Sequence, residues 1–251
     1  MEHSTVMKKL VVYTALFTDD VKDGTNDYGG LVEYTHDKNG VDYVAFTNLD
    51  IKSDFWEIRK VKPELEARLQ CRWFKMMPHQ LFPEHKTSLW MDNQCYALYK
   101  PEALCDLYLT DADIAIHKHT DMTCLYKEAQ ICKMHNLDDP ATIDEQVAKY
   151  KAAGHPWDYG LYETGVIMRN HIPEVSRFSE DWWSEIETHS IRDQISAPYI
   201  VRTHPDVRFY TIPYSFTAHQ GFLDRPKSPH FKTLPRTKIP TLINDKVYDR
   251  P

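Results

Sequence analysis

Apolar residues fall along this chain in short runs separated by stretches with helical spacing. Residues 9–17, Lys-Leu-Val-Val-Tyr-Thr-Ala-Leu-Phe, are β-rich and mostly apolar, which predicts a first strand buried on both faces as in parallel sheets. Residues 41–48 read as a second strand ending in Thr47-Asn48, and residues 55–61 as a further short one. From Pro63 to Met77 the periodicity changes: Leu65, Leu69, Trp73 and Met76 recur at helical spacing. The run Leu89-Trp90-Met91 is too short for a helix and stops at Asp92-Asn93-Gln94, so it predicts a buried strand ending in a carboxylate.

Further on, residues 101–107 read as a short helix and 112–116 as a strand that runs into His117-Lys118-His119. Residues 122–136 form a helical pattern with Leu125, Ala129 and Cys132 on one face, and Asp138-Asp139-Pro140 breaks it. A second helix is predicted over 142–153, with Thr142 as N-cap, Glu145 at the capping-box position and Gly154 closing it. Residues 161–170 combine a polar front, Gly165 and an apolar run that predicts a buried strand, and a helix is expected over 178–188. Residues 199–201 and 207–212 read as late strands. Beyond Tyr214 the spacing of Pro226, Pro229, Pro235 and Pro240 predicts an extended tail. The expected organisation is one α/β domain over 1–213, with a mostly parallel central sheet flanked by helices. Residues 214–251 would wrap that same domain.

Composition narrows the class. The 251 residues suffice for a sizeable core, and 42% hydrophobic with 27% charged residues is a globular balance. The formal net charge of −7 argues against a nucleic-acid partner. No stretch approaches ~18 consecutive apolar residues, and no signal-peptide pattern is visible, so no transmembrane segment and a cytoplasmic location are expected. The five cysteines show no CxxC spacing, which favours reduced thiols. No GxGxxG or GxxxxGK[ST] occurs, which excludes the usual dinucleotide fingerprint and the P-loop.

The candidate chemistry centres on Asp92. A carboxylate at the carboxyl end of a strand in an α/β sheet lies where such sheets bind ligands, and it can hold a divalent cation that in turn holds a diphosphate. The plain alternative is a strand followed by an Asp-Asn turn. Thr14 and Thr47-Asn48, at expected strand ends, are candidates to contact a base or ribose, or are ordinary strand-to-loop residues. Arg72 and Lys75 near a helix C-terminus either complement its dipole or face a nucleotide. His117 and His119, two apart on an extended segment, form either a metal pair or a surface basic patch. Trp182 and Trp183 are core residues or a platform for a sugar ring.

Several blocks then fit one pattern: Arg72-x-x-Lys75-x-x-Pro78-His79; Ser88-Leu89-Trp90-Met91-Asp92; His117-Lys118-His119; Lys127-Glu128-Ala129; Gln146-x-x-x-Tyr150; Gly160 to Arg169; and Trp182-Trp183-x-Glu185 followed by Ser190-x-Arg192-Asp193-Gln194. Together they resemble a glycosyltransferase-like family formerly classed as a domain of unknown function, with plant mucilage and pollen-turgor members and bacterial and viral relatives. The resemblance runs from about Val11 to about His219. A more distant similarity is to glycogenin-like transferases of GT-A fold.

That resemblance implies a sugar transfer from a nucleotide-sugar donor, UDP by analogy, to a glycan or glycoprotein acceptor. It implies Mn²⁺ or Mg²⁺ held by Asp92, Gln94 and His219, although the chain has Asp92-Asn93-Gln94 where the pattern has Asp-x-Asp. Arg72, Lys75 or Lys118 would add positive charge against the departing diphosphate. Asp193 or Glu163 would take a proton from the acceptor hydroxyl, or Gln194 or Glu163 would sit against the anomeric carbon. Two other classes stay open: a glycoside hydrolase using Glu163 and Asp193 as a carboxylate pair, and a non-catalytic carbohydrate-binding protein.

Overall fold

The apolar runs become the strands they predict, because a residue buried on both sides of a sheet cannot alternate with polar ones. The computed structural model describes residues 8–19, 31–34, 38–119, 121–214, 229–233 and 242–243. Its strands are β1 (Lys8–Leu16), β2 (Glu33–Tyr34), β3 (Asp42–Thr47), β4 (Glu57–Lys60), β5 (His85–Met91), β6 (Cys95–Ala97), β7 (Ile114–Lys118), β8 (Tyr162–Asn170), β9 (Phe209–Ile212), β10 (Phe231–Thr233) and β11 (Leu242–Ile243). Its helices are α1 (Ala67–Met76), α2 (Pro78–Leu81), α3 (Pro101–Leu109), α4 (Leu125–Met134), α5 (Pro140–Ala152), α6 (Pro173–Thr188) and α7 (Asp193–Thr203).

Seven strands form the central sheet in the order β4-β3-β1-β5-β8-β7-β9. All neighbouring pairs are parallel except those made by β8, which runs antiparallel to both β5 and β7. The carboxyl ends of β4, β3, β1, β5 and β7 therefore share one edge with the amino end of β8. One face of the sheet packs Leu10, Val12, Leu89, Met91 and Met168 against Leu104, Cys105 and Tyr108 of α3. The other packs Val11, Tyr13, Trp90 and Ile167 against Phe74, Phe178, Trp182 and Ala197 of α1, α6 and α7. The expected mixed α/β fold is the observed one.

β8 carries the main irregularity. Ile116 of β7 faces Ile167, but its neighbour His117 faces Glu163, so residues 164–166 bulge away from β7. Pairing with β5 continues unbroken, and the Asp92 amide donates to the Gly165 carbonyl at 2.7 Å.

Four local expectations are corrected. Residues 199–201 lie in α7, not in a strand. Pro198 sits inside that helix, and the apolar run it interrupts is the helix's two-sided core contact, with Ile195 buried beside α4 and Ala197 and Ile200 buried beside α6. α5 begins at Pro140 and is capped by Asp139, whose carboxylate accepts from the Thr142 amide at 2.8 Å, so Thr142 is not the cap. α1 begins only at Ala67. The residues before it are held as a loop, with Asp19 Oδ1 accepting from the Ala67 amide and Gln70 Oε1 accepting from the Glu64 and Leu65 amides. His117 is no surface patch: it is fully buried, and its Nδ1 donates to the Tyr214 carbonyl at 2.6 Å.

The described parts of the C-terminal region lie against the domain. β10 pairs antiparallel with β6, and β11 pairs parallel with β2.

Three histidines bear on stability. Burial pulls His117, His155 and His171 down to about 4. Each is neutral in the folded protein between about pH 4 and its ordinary value near 6.5, whereas the unfolded chain takes up protons there. The unfolded state thus binds more protons in that window, and stability is lost as pH falls through it. Urea midpoints measured from pH 7 to pH 4.5 are expected to fall steadily, with each histidine contributing at most about 1.4 kcal/mol per pH unit.

Candidate functional site

The site begins where β5 ends. After Met91 the chain turns at once, and the Asp92 carbonyl accepts from the Cys95 amide at 2.7 Å. Trp90 Nε1 donates to Asp92 Oδ1 at 2.8 Å, which fixes the carboxylate at the sheet edge with 34% of the side chain exposed.

Beneath it lies a buried ion pair. Lys75, in the last turn of α1, is 1% exposed and Asp193, in the first turn of α7, is 3% exposed. Lys75 Nζ stands 2.6 Å from Asp193 Oδ2, 3.8 Å from Asp92 Oδ1 and 5.8 Å from the Trp90 ring centroid. Each charge also meets the favourable end of its helix dipole. The end of α1 is anchored in the core, where the Lys75 carbonyl accepts from the Tyr13 hydroxyl and from Arg169 Nη1, both at 3.0 Å. Arg72, one turn earlier, donates through Nε to the Ile191 carbonyl at 3.3 Å and lies 3.6 Å from Asp193 Oδ2.

The loop that delivers Asp193 is held by Asp138. Its Oδ2 accepts from Ser190 Oγ at 2.7 Å and from the Ile191 amide at 2.8 Å, and Ser190 Oγ in turn accepts from the Arg192 amide. Asp138 is one site residue that sequence reasoning missed. Its only signal was a place in a helix-breaking Asp-Asp-Pro.

The electrostatics assign different tasks to the carboxylates. Burial alone would raise the Asp193 carboxyl, but Arg72, Lys75 and Arg192 outweigh it and hold it well below the ordinary range. A carboxylate so held is a poor proton acceptor. Burial likewise works against the Arg72 charge, and Asp193 and Asp92 outweigh it, so the guanidinium keeps its proton more tightly than usual. Glu163 is buried at the start of β8. It and Asp92 both help to push up the Cys95 thiol, whose rise is due first to burial.

The remaining candidates are dispersed. Gln194 uses both ends of its amide: Nε2 donates to the Tyr162 carbonyl at 3.1 Å and Oε1 accepts from Arg192 Nη2 at 3.3 Å. It therefore fastens the start of β8 to α7. Thr14 lies inside β1, which continues to Leu16, and it is buried short of the edge. Thr47 Oγ1 accepts from the Leu49 amide, and the Asn48 side chain bridges the Thr18 amide and carbonyl. Lys118 is exposed at the end of β7. Gln94 is half-buried in the Asp92 turn. His219 lies outside the described residues.

A cavity of about 510 Å³ opens on the same edge, at the ends of β1, β3 and β4, lined by Thr18, Asp19, Asn48, Lys60, Val61, Lys62 and Pro63. Lys60 and Lys62 were not expected there, although the cationic end of β4 was visible as Arg59-Lys60-Val61-Lys62.

For a divalent cation, the Asp92 turn offers hard oxygen atoms by composition, a partly exposed Asp92 carboxylate and, two residues on, the amide of Gln94. That donor set suits an ion bound through one carboxylate and completed by water and phosphate. Among the described residues no cluster of three His, Cys, Asp or Glu side chains forms a closed site.

A family model described as TOD1/MUCI70, glycosyltransferase-like domain, matches residues 33–215 of this chain, which includes Asp92, Glu163 and Asp193. The chain belongs to the TOD1/MUCI70 glycosyltransferase-like family. Two Arabidopsis thaliana relatives were found. One, named probable hexosyltransferase MUCI70, is 29% identical over 157 residues, covering 58% of this chain and 27% of that protein. The other, named alkaline ceramidase TOD1, is 26% identical over 170 residues, covering 62% of this chain and 37% of that protein. The chain thus spans well under half the length of either relative. Among solved structures, mouse xyloside xylosyltransferase 1 in its apo form aligns with a TM-score of 0.44 at 12% identity, covering 81% of this chain and 84% of that one. A glycosyltransferase involved in glycosylating the major capsid of PBCV-1 aligns at 0.41 and 10% identity, covering 82% and 81%. Among the described residues of this TOD1/MUCI70-family chain, no helix is long and apolar enough to cross a membrane.

Removing Asp138 tests the delivery of Asp193. Asp138→Ala leaves the buried Ser190 hydroxyl and the Ile191 amide without their acceptor, so urea unfolding should show a loss of about 1–3 kcal/mol. Asp138→Asn, which keeps one oxygen acceptor, should recover most of it.

Proposed function

We propose that this chain is a GT-A-like transferase that moves a sugar from a nucleotide-sugar donor, a UDP-sugar by preference, to a hydroxyl of a glycan or glycoprotein. The observation that carries this reading is the cluster of Arg72, Lys75, Asp92 and Asp193 at the sheet edge on which a cavity of about 510 Å³ also opens, in a chain of the glycosyltransferase-like family.

Breaking the donor's glycosidic bond leaves a diphosphate with added negative charge. Fixed cationic groups aimed at that charge lower the barrier without reorganising as it develops. Arg72, kept charged by Asp193 and partly exposed, is placed for this task, and Lys75 sustains the positive field from beneath. A Mn²⁺ or Mg²⁺ ion held by Asp92, with Gln94 and His219 as further proposed ligands, would supply additional charge neutralisation when bound. The cavity at the ends of β1, β3 and β4 would take the base and ribose, with Asn48 shaping it and Lys60 and Lys62 at its rim.

The acceptor hydroxyl needs a base. Asp193 is unsuited to that role by the cations around it, Arg72, Lys75 and Arg192, so Glu163 takes it. Gln194 acts through Glu163, as a positioning residue that ties the start of β8 to α7.

The test is a thermal-shift series with UDP, GDP and CDP, with and without Mn²⁺, followed by turnover of the matching nucleotide-sugars. Saturating nucleotide at about a hundred times its dissociation constant should add about 2.7 kcal/mol of stability. Asp92→Asn should remove the Mn²⁺-dependent part of the shift. Glu163→Gln should keep the nucleotide shift and lose roughly 10²–10⁴ in turnover. Absence of any nucleotide response, together with release of fatty acid from ceramide, would contradict the transferase reading and favour the activity named for the second relative.

A further inference from the structure

α1 has a second functional side. Arg72 and Lys75 turn toward Asp193, while Gln70 and Trp73 line a separate cavity of about 410 Å³, bounded also by Trp183 and Glu187 of α6 and by Glu64. Val61 and Lys62 line both this groove and the cavity at the ends of β1, β3 and β4, so the two adjoin across the segment that follows β4.

The groove has an aromatic wall. Trp73 is partly exposed, and its indole is held edge-on to Phe74 with ring centroids 5.1 Å apart. Trp183 is 8% exposed and closes the same groove from α6. Indole faces carry negative charge density and attract polarised C–H bonds lying over them. Pyranose rings present such a face together with a rim of hydroxyls.

The polar groups match that rim. Gln70 is 6% exposed and lines the groove. Its Oε1 is already used by the Glu64 and Leu65 amides at 2.9 and 3.1 Å, and its Nε2 has no partner among the described residues. Gln70 thus keeps one amide donor available at the groove, and a ligand hydroxyl oxygen would accept from it in place of water. Glu64 and Glu187 are exposed at the edge and accept hydroxyl protons. Two carboxylates against the single ammonium of Lys62 disfavour an anionic occupant.

We propose that this groove binds one neutral sugar unit, and that the sugar belongs to the acceptor glycan. Its assignment to the acceptor rests on the transferase reading, whereas sugar binding at the groove does not.

The test uses the full chain and short neutral oligosaccharides of the cello-, xylo- and manno- series, with tryptophan fluorescence and titration calorimetry as readouts. At least one series should bind saturably and perturb the fluorescence. Trp73→Ala removes the wall. Gln70→Glu keeps an oxygen for the Glu64 and Leu65 amides, removes the amide donor and adds a negative charge at the groove. Each should weaken oligosaccharide binding about tenfold or more while the UDP thermal shift stays as in the parent. Binding unchanged in both variants, tighter binding of an oligouronide than of any neutral series, or no oligosaccharide binding beside an intact nucleotide shift would each overturn the groove and leave the transferase reading standing. Sugar binding lost in the variants, in a parent that shows no nucleotide response, would support the groove and overturn the transferase reading.

Discussion

An ammonium and a carboxylate buried together must face each other, and the site depends on the pair that does so here. Lys75 and Asp193 meet at 2.6 Å with almost no solvent contact. Each stripped of the other would keep only a more distant partner, Arg72 at 3.6 Å or Asp92 at 3.8 Å, in a low dielectric, a loss that outweighs most single contacts in a domain. The pair therefore fixes α1 against α7, and with them everything these helices carry. Arg72 is drawn toward Asp193 from the same helix, Gln194 follows Asp193 and fastens β8, and Lys75 reaches up to Asp92 at the end of β5. The arrangement is strengthened by hydrogen bonds from outside the pair: Tyr13 and Arg169 donate to the Lys75 carbonyl, and Asp138 holds the loop before Asp193.

The strong depression of the Asp193 carboxyl comes from Arg72 first and then from Lys75 and Arg192, against the opposing effect of burial. Two acids near one cleft invite the idea of a matched carboxylate pair. Here Asp193 is committed to cations and serves as an electrostatic anchor, so the two acids are not a matched pair. The bulge at residues 164–166 follows directly on Glu163, which itself stays paired with His117 of β7.

Much of the fold was legible in the sequence, because strands such as β1 and β5 must be apolar on both faces and helices such as α1 and α6 must not. The candidate residues Asp92, Arg72, Lys75, Glu163 and Asp193 were legible one by one. Their pairing was not, since Lys75 and Asp193 are far apart in the chain and no spacing links them. α7 was misread where Pro198 splits an apolar run that a helix buries on two sides. Thr14 was placed too near the sheet edge, because a polar residue inside a strand looks like its end until Ala15 and Leu16 are seen to continue the pairing. Asp138 was invisible for the opposite reason: its partners are a hydroxyl and an amide, which leave no pattern.

The most direct measurement is a double-mutant cycle on the buried pair, with Lys75→Met, Asp193→Leu and the double variant compared by urea unfolding. The account predicts that each single change costs about 3–5 kcal/mol and that the double variant costs less than the sum by at least about 2 kcal/mol, because removing both charges removes the unpaired one. Strictly additive losses would contradict it, and would mean that the two side chains are neighbours rather than the interaction on which the site is built.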